Sequence, residues 1–168
     1  MPKIIVITGP PGAGKTTISM KLAEKAPKGV AISADRIRKM VKGGYTLPWL
    51  KTREAKDQRR LVTNNICDIT KNSTDLGFDV FIDDVLPKKD LIEDYKKSLG
   101  EDIELFLILP SEEMLIKRLR EREEEEIMFV RTKELREAFF LNKDKIDWTI
   151  IDNSFLTIEE TINIISSK

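Results

Sequence analysis

The sequence contains no histidine at all. Its absence removes the side chain that most readily exchanges protons near neutral pH, and a common nitrogen ligand for metals. Any general base must then be a carboxylate, lysine, tyrosine or cysteine, and any metal must be held through oxygen. A single cysteine, Cys67, excludes an intrachain disulfide and fits a reducing compartment. No apolar run approaches the length of a membrane span, and the opening MPKIIVITG is too short for a signal peptide. The expectation is a cytoplasmic chain with no membrane partner. Neither sign of charge is in excess, 29 basic against 29 acidic residues. A globally basic nucleic-acid binder is therefore not indicated, while a local basic patch stays open.

What is present is a foldable composition: 168 residues, 40% hydrophobic and 35% charged, which predicts one domain over residues 1–168 with a real core. Short apolar runs predict strands at 3–8, 30–33, 80–84, 103–109 and 148–152. Helical patterns lie between and after them, at 16–26, 35–41, 54–76, 88–99, 111–126, 132–143 and 157–167. In the long third helix Val62, Ile66 and Ile69 are expected on the buried face. Glu123 to Glu126, four acids in a row, read as a solvated helix end. Strands alternating with helices predict an α/β fold, a parallel sheet covered on both faces, with the second strand expected beside the first.

The first strand runs into Gly9-Pro10-Pro11-Gly12-Ala13-Gly14-Lys15-Thr16, followed by Thr17. This matches the Walker A pattern G-x-x-x-x-G-K-[ST] in the strand-to-helix context the pattern requires. Glycines let backbone N–H groups turn inward around phosphate oxygens. The following helix start adds its positive end, Lys15 reaches the β/γ-phosphates and Thr16 offers a hydroxyl to Mg²⁺. ATP and Mg²⁺ are the expected cofactors. A guanine-reading Asn-Lys-x-Asp is missing: Asn142-Lys143-Asp144-Lys145 fails at its last position.

Ser33-Ala34-Asp35-Arg36-Ile37-Arg38 follows the second strand. Asp35 and Arg38, three apart, share a helix face. At the carboxyl end of that strand Asp35 is placed to accept a proton from an acceptor hydroxyl, and Arg38 to hold the acceptor or the moving phosphoryl. The plainer reading is a helix-start acid and a surface arginine. Asp83-Asp84 ends the third strand, and one of the two is expected to hold Mg²⁺, since successive strand residues face opposite ways. Arg118 and Arg122 lie four apart, and a bound polyphosphate would offset their mutual repulsion. The alternative is local pairing, Arg118 with Glu121 and Arg122 with Glu126. Arg120 and Arg131 are lesser candidates.

These residues together give the chain a resemblance to P-loop kinases of the group containing polynucleotide 5′-kinases, zeta-toxin-like kinases and chloramphenicol phosphotransferases. More distantly it is similar to gluconate and shikimate kinases. The resemblance implies a P-loop three-layer α/β/α sandwich with a five-stranded parallel sheet and a helical lid over roughly 111–143. It implies Asp35 as general base, Arg38 on the acceptor side, Arg118 and Arg122 as lid arginines, and the loop at Asp152-Asn153-Ser154 bordering the adenine.

Between residues 36 and 60 stand Arg36, Arg38, Lys39, Lys42, Lys51, Arg53, Lys56, Arg59 and Arg60 against only Glu54 and Asp57, with Tyr45 and Trp49 among them. Such a segment suits a nucleotide or a single-stranded nucleic acid, and equally a phosphorylated or carboxylated metabolite. The acceptor is left open between a small molecule, a nucleotide and a nucleic-acid 5′-hydroxyl. The other function class the sequence allows is a P-loop ATPase or nucleotide-binding module with no acceptor alcohol.

Overall fold

The computed structural model describes residues 1–168. Five strands, β1 Ile4–Thr8, β2 Gly29–Ser33, β3 Asp79–Asp83, β4 Glu104–Ile108 and β5 Thr149–Ile151, form one sheet in the order β2-β3-β1-β4-β5. Every pairing is parallel. The helices are α1 Lys15–Lys25, α2 Ala34–Arg38, α3 Arg53–Asp75, α4 Lys89–Leu99, α5 Glu112–Glu121, α6 Glu126–Asn142 and α7 Ile158–Ser166. No helix is long and apolar enough to cross a membrane.

Alternation along the strands builds two cores, one on each face of the sheet. Val6, Ile32, Val80, Ile82, Leu105 and Leu107 meet Val62 and Ile66 of α3, Ile92 and Tyr95 of α4, and Phe139 of α6. Their strand neighbours Ile5, Ile7, Phe81, Phe106 and Ile108 point the other way, onto Ile18 and Leu22 of α1 and Ile162 and Ile165 of α7. The result is the expected α/β/α sandwich, with all strand carboxyl ends on one crest, where parallel sheets of this kind bind ligands.

Three expectations need correction. The second strand does not lie beside the first: β3 separates them. Burial explains the order, since β2 leaves Ala31 exposed and suits an edge, whereas Val80 to Asp83 of β3 are all buried. The charged region between β4 and β5 divides differently from the sequence pattern. α5 stops at Glu121, Glu123 takes a left-handed φ of 54°, and α6 begins at Glu126, six residues before the expected start. The apolar run Ile127 to Val130 has no helical alternation, which hid that start. In α3, Val62 and Ile66 are buried as expected, but Thr70 takes the place foreseen for Ile69. The buried face there runs through Thr63, Ile66 and Thr70, leaving Ile69 at its margin.

Candidate active site

The crest is organised around the turn from β1 into α1. Gly9 passes so close to β4 that a Cβ would lie 2.2 Å from the Ile108 carbonyl oxygen, so no other residue fits. Gly14 stands at the N-cap of α1 with φ 91°, a left-handed conformation that glycine adopts without strain. Thr52, Ser111 and Thr157 close α3, α5 and α7 with side-chain oxygens. α1 has no such cap, nor have α2, α4 and α6.

Lys15 opens α1. Its ammonium donates to the Pro10 carbonyl at 3.1 Å. Desolvation within the loop pulls its pKa down to about 8, against the fields of Asp83, Asp84 and Asp35, while Arg122 adds to the lowering. The side chain nonetheless keeps partial contact with solvent. Lys15 thus lies within the fields of Asp35 of α2, Arg122 at the end of α5 and both acids at the end of β3. Thr17 faces solvent beside Thr16.

The two adjacent acids have opposite surroundings. The Thr16 hydroxyl donates to Asp83 Oδ1 at 3.2 Å and Ser33 reaches the same oxygen at 3.5 Å. Asp83 Oδ2 is buried with no partner. Burial pushes the Asp83 carboxyl up, opposed by Lys15, Ser33 and Thr16. Asp84 is fully engaged instead. Arg59 of α3 grips it through both oxygens at 3.2 and 2.9 Å, Tyr95 of α4 donates at 2.9 Å and the Val85 amide at 2.8 Å. Burial, the largest influence, works against the Arg59 charge, but Asp84, Tyr95 and Asp94 together outweigh it and the net shift is upward. Burial, then Asp84, drives the Tyr95 hydroxyl well above its ordinary value, so it stays a donor.

Asp35 is exposed on α2, its carboxylate held by Lys39 at 2.8 Å and by Arg38 at 3.6 Å. Arg38 is buried and lies 3.9 Å from Asp84, linking the exposed acid to the buried one. The pairing with Lys39 had no sequence forecast, although a four-residue helical spacing was there to read. Beyond α2 the chain forms a loop, 41–52, joined to α3 by Gln58, which accepts from the Thr46 amide at 3.0 Å and donates to the Gly44 carbonyl at 2.7 Å. Trp49 of this loop lies under the Arg131 guanidinium of α6, 5.7 Å from ring centre to cation. Of the basic segment, Arg38 and Arg59 turn inward to Asp84, while Arg53 and Arg60 share Asp57.

Arg118 and Arg122 separate. Arg118 donates to the Asn153 carbonyl at 2.9 Å, to Asn153 Oδ1 at 3.3 Å and toward the Gly12 carbonyl at 3.4 Å. Burial, then its neighbour Arg122, lowers its pKa. It makes no ion pair with Glu121, and Arg122 makes none with Glu126. Arg122 ends α5, exposed to solvent. Arg120 is likewise exposed, and Arg131 pairs with Glu134 at 2.9 Å.

The sequence model of an AAA domain family matches residues 4–140. The tunicamycin resistance protein of Deinococcus radiodurans superposes with a TM-score of 0.74 at 16% identity, covering 99% of this chain and 95% of that one. A gluconokinase from Sinorhizobium meliloti 1021 superposes with a TM-score of 0.70 at 18% identity, over 96% and 88% of the two chains. At such identities the likeness is one of fold, the fold of P-loop kinases. In sequence, tRNA dimethylallyltransferase 9 of Arabidopsis thaliana is 37% identical over 82 residues, 49% of this chain, and the chain spans only 17% of that relative's length.

Proposed function

The chain belongs to the AAA domain family matched over residues 4–140, with the fold of P-loop kinases, and from that premise we propose that it transfers the γ-phosphoryl group of ATP to an alcohol. The observation that carries the reading is the grouping of acids at the strand ends: Asp83 of β3 meets Thr16 of the phosphate loop, and Asp35 of α2 is tied through Arg38 to Asp84 beside it. In this reading Asp35 is the base for the attacking hydroxyl, and dependence on an acceptor alcohol is what separates transfer from hydrolysis, which can use such a base as well.

The residues fit a divalent cation accompanying the nucleotide. Asp83 has a buried oxygen without a partner, and the Thr16 hydroxyl is on its other oxygen. Two protein oxygens would leave the rest of such an ion's shell to phosphate and water. Mg²⁺ held by Thr16 and Asp83 would supply charge neutralisation at the β- and γ-oxygens. Asp84 is then the buttress of the acceptor side, since Arg59, Tyr95 and Val85 use its oxygens.

In this reading the amides of Gly12 to Thr17 and the Lys15 ammonium cradle the phosphates, while Pro10 and Pro11, which have no N–H, shape the turn. Asp35 takes the proton of the acceptor hydroxyl as that oxygen bonds to the γ-phosphorus. The bond from the γ-phosphorus to the β,γ-bridging oxygen breaks, and ADP leaves. Arg38 orients the acceptor. α5 and α6 act as the lid, and Arg122 stabilises the charge spread over the moving phosphoryl group. Closure over the crest excludes water that would otherwise hydrolyse ATP.

The test is transfer from γ-labelled ATP with Mg²⁺ to a panel of acceptors: 5′-hydroxyl DNA and RNA, nucleosides, nucleotides and sugars. Label on an acceptor, lost in Asp35→Asn while ATP binding persists, supports the reading and names the acceptor class. Release of free phosphate alone, indifferent to acceptor and to Asp35, overturns it.

A further inference from the structure

The Asp35 carboxylate is occupied on both oxygens. Lys39 Nζ lies 2.8 Å from Oδ2, and Arg38 lies 3.6 Å from Oδ1. The two cations differ. Arg38 is buried and held on its other side by Asp84. Lys39 stands at the C-cap of α2 with its side chain 67% exposed, on a flexible four-carbon stem whose one ion pair is with Asp35. An ammonium on a carboxylate oxygen occupies a lone pair and opposes the arrival of another proton there. A hydroxyl that is to give its proton to Asp35 Oδ2 must first displace Lys39.

That contact is easily exchanged. An exposed ion pair at four-residue helical spacing amounts to about a twofold preference over the separated charges. A second carboxylate, equally exposed, competes with Asp35 on even terms.

The lid supplies one. α5 ends at Glu121, the chain turns through Glu123 at φ 54°, and the Glu124 amide donates to the Leu119 carbonyl at 3.2 Å. This tight turn leaves Glu123, Glu124 and Glu125 in solvent, and no ion pair of the molecule uses any of the three. The groups whose fields reach Lys39 are Asp35, Tyr45 of the following loop and Glu124 of the turn. Tyr45 carries a phenol, so Glu124 is the one other carboxylate among them. Lid and loop also meet directly, Arg131 over Trp49 at 5.7 Å.

We propose that Lys39 is a positioning residue that caps the Asp35 carboxylate while the lid is open, and that Glu124 on the α5–α6 turn draws it away as the lid closes. This rests on the phosphotransfer reading above, in which Asp35 is the base. The base is then uncovered only as water is shut out. With the lid open and the cap removed, water takes the place of the alcohol. Asp35 accepts a proton from it, its oxygen bonds to the γ-phosphorus, the bond to the β,γ-bridging oxygen breaks, and inorganic phosphate and ADP leave.

The experiment follows labelled phosphate released from γ-labelled ATP with Mg²⁺ and no acceptor, with protein in excess so that slow single turnovers are read. The variants are Lys39→Met, Lys39→Arg, Glu124→Gln, Asp35→Asn, and Lys39→Met combined with each of the last two. Asp35, Lys39 and Glu124 are all exposed, so the variants keep the fold. Uncovering a carboxylate capped about two-thirds of the time predicts phosphate release about threefold faster in Lys39→Met. Lys39→Arg should keep the original rate, and the gain should vanish in the combination with Asp35→Asn. Glu124→Gln leaves Lys39 to Asp35, so its rate should be no higher than the original. Combined with Lys39→Met, it should match Lys39→Met within about 1.5-fold, because Glu124 acts only through Lys39. An ordinary surface ion pair would leave every Lys39 and Glu124 variant at the original rate. That result, a slower Lys39→Met, or a gain that survives Asp35→Asn overturns the inference. A second measurement needs no turnover. In the variant carrying Lys39→Cys and Glu124→Cys, loss of free thiol under mild oxidation should be faster with Mg²⁺ and a non-hydrolysable ATP analogue than without, and equal rates overturn the part given to Glu124. If Asp35→Asn alone leaves phosphate release unchanged and no acceptor is labelled, the phosphotransfer reading fails and this inference with it. If Asp35→Asn slows release while Lys39→Met changes nothing, only this inference fails.

Discussion

The phosphate-loop half of the crest and the half beyond α2 are built on opposite principles. Around Gly9 to Thr16, backbone and buried side chains leave little freedom: Gly9 abuts Ile108, Asn153 holds Ala13 and Arg118, and Asp83 meets Thr16. Across Lys39 to Thr52 the chain has one helix-end turn and a loop, mostly exposed, held by Gln58 and by the Trp49–Arg131 contact. Between them stand Asp83 and Asp84, adjacent in sequence, one facing each half. On the phosphotransfer reading proposed above, a firmly held cradle beside an exposed loop suits a common donor and a particular acceptor, since the cradle needs only to recognise phosphate.

The comparison breaks most severely at Lys15. Lys15→Met is expected to reduce phosphoryl transfer by about a thousandfold or more, because the charge that balances the β/γ-phosphates is removed inside the cradle. Steady-state transfer and circular dichroism together check that the loss is chemical, with the fold intact.

The two acids should separate stability from activity. Asp84→Ala leaves Arg59 and Arg38 buried without their anion and should cost about 3–5 kcal/mol in urea unfolding. Asp83→Asn removes a buried carboxylate with an unpaired oxygen, and should leave stability equal or higher while abolishing Mg²⁺-dependent transfer. Equal loss of stability in both variants would erase the distinction drawn between them.

A smaller effect is set by pH. In the nucleotide-free, EDTA-treated protein Lys15 sits at about 8 against an unfolded value of 10.5. Between those values the unfolded chain binds more protons than the folded one, so stability rises as pH goes from about 8 to 10.5. The groups facing this lysine are Asp83, Asp84, Asp35 and Arg122. Lys15→Met should flatten the rise in thermal midpoint over that window, and an unchanged slope would contradict the burial argument.

The smallest effect belongs to the flap. Trp49→Ala should cost about 0.5–1 kcal/mol, the worth of an exposed cation–π contact, and should alter acceptor kinetics a few-fold while sparing ATP affinity. Equal weakening of ATP would mean that the flap and the cradle are one unit.

Much of this was legible in the chain. Apolar runs bounded by turns fix five strands almost to the residue, because strands buried on both faces need uninterrupted hydrophobic stretches. The phosphate loop is legible because its backbone demands glycine at set positions. The sheet order is not, since it depends on how much of β2 and β3 each gets buried. Nor are the partners of Asp84: Arg59 and Tyr95 come from separate helices, and no local spacing announces them. Asn153 reads as a turn residue until Ala13 and Arg118 are seen beside it. The start of α6 escaped because Ile127 to Val130 lack helical alternation.

The chain has two tryptophans, and they are unequally placed. Trp148 is buried against Phe139, its indole bonded to the Lys143 carbonyl at 2.9 Å. Trp49 is partly exposed, and its face is covered by a cation borne on α6. The molecule therefore carries its own optical gauge. Both indoles touch α6, Trp148 through Phe139 and Lys143 and Trp49 through Arg131, so a shift of that helix would register in either one, and Trp148→Phe isolates the Trp49 signal for stopped flow without an attached dye.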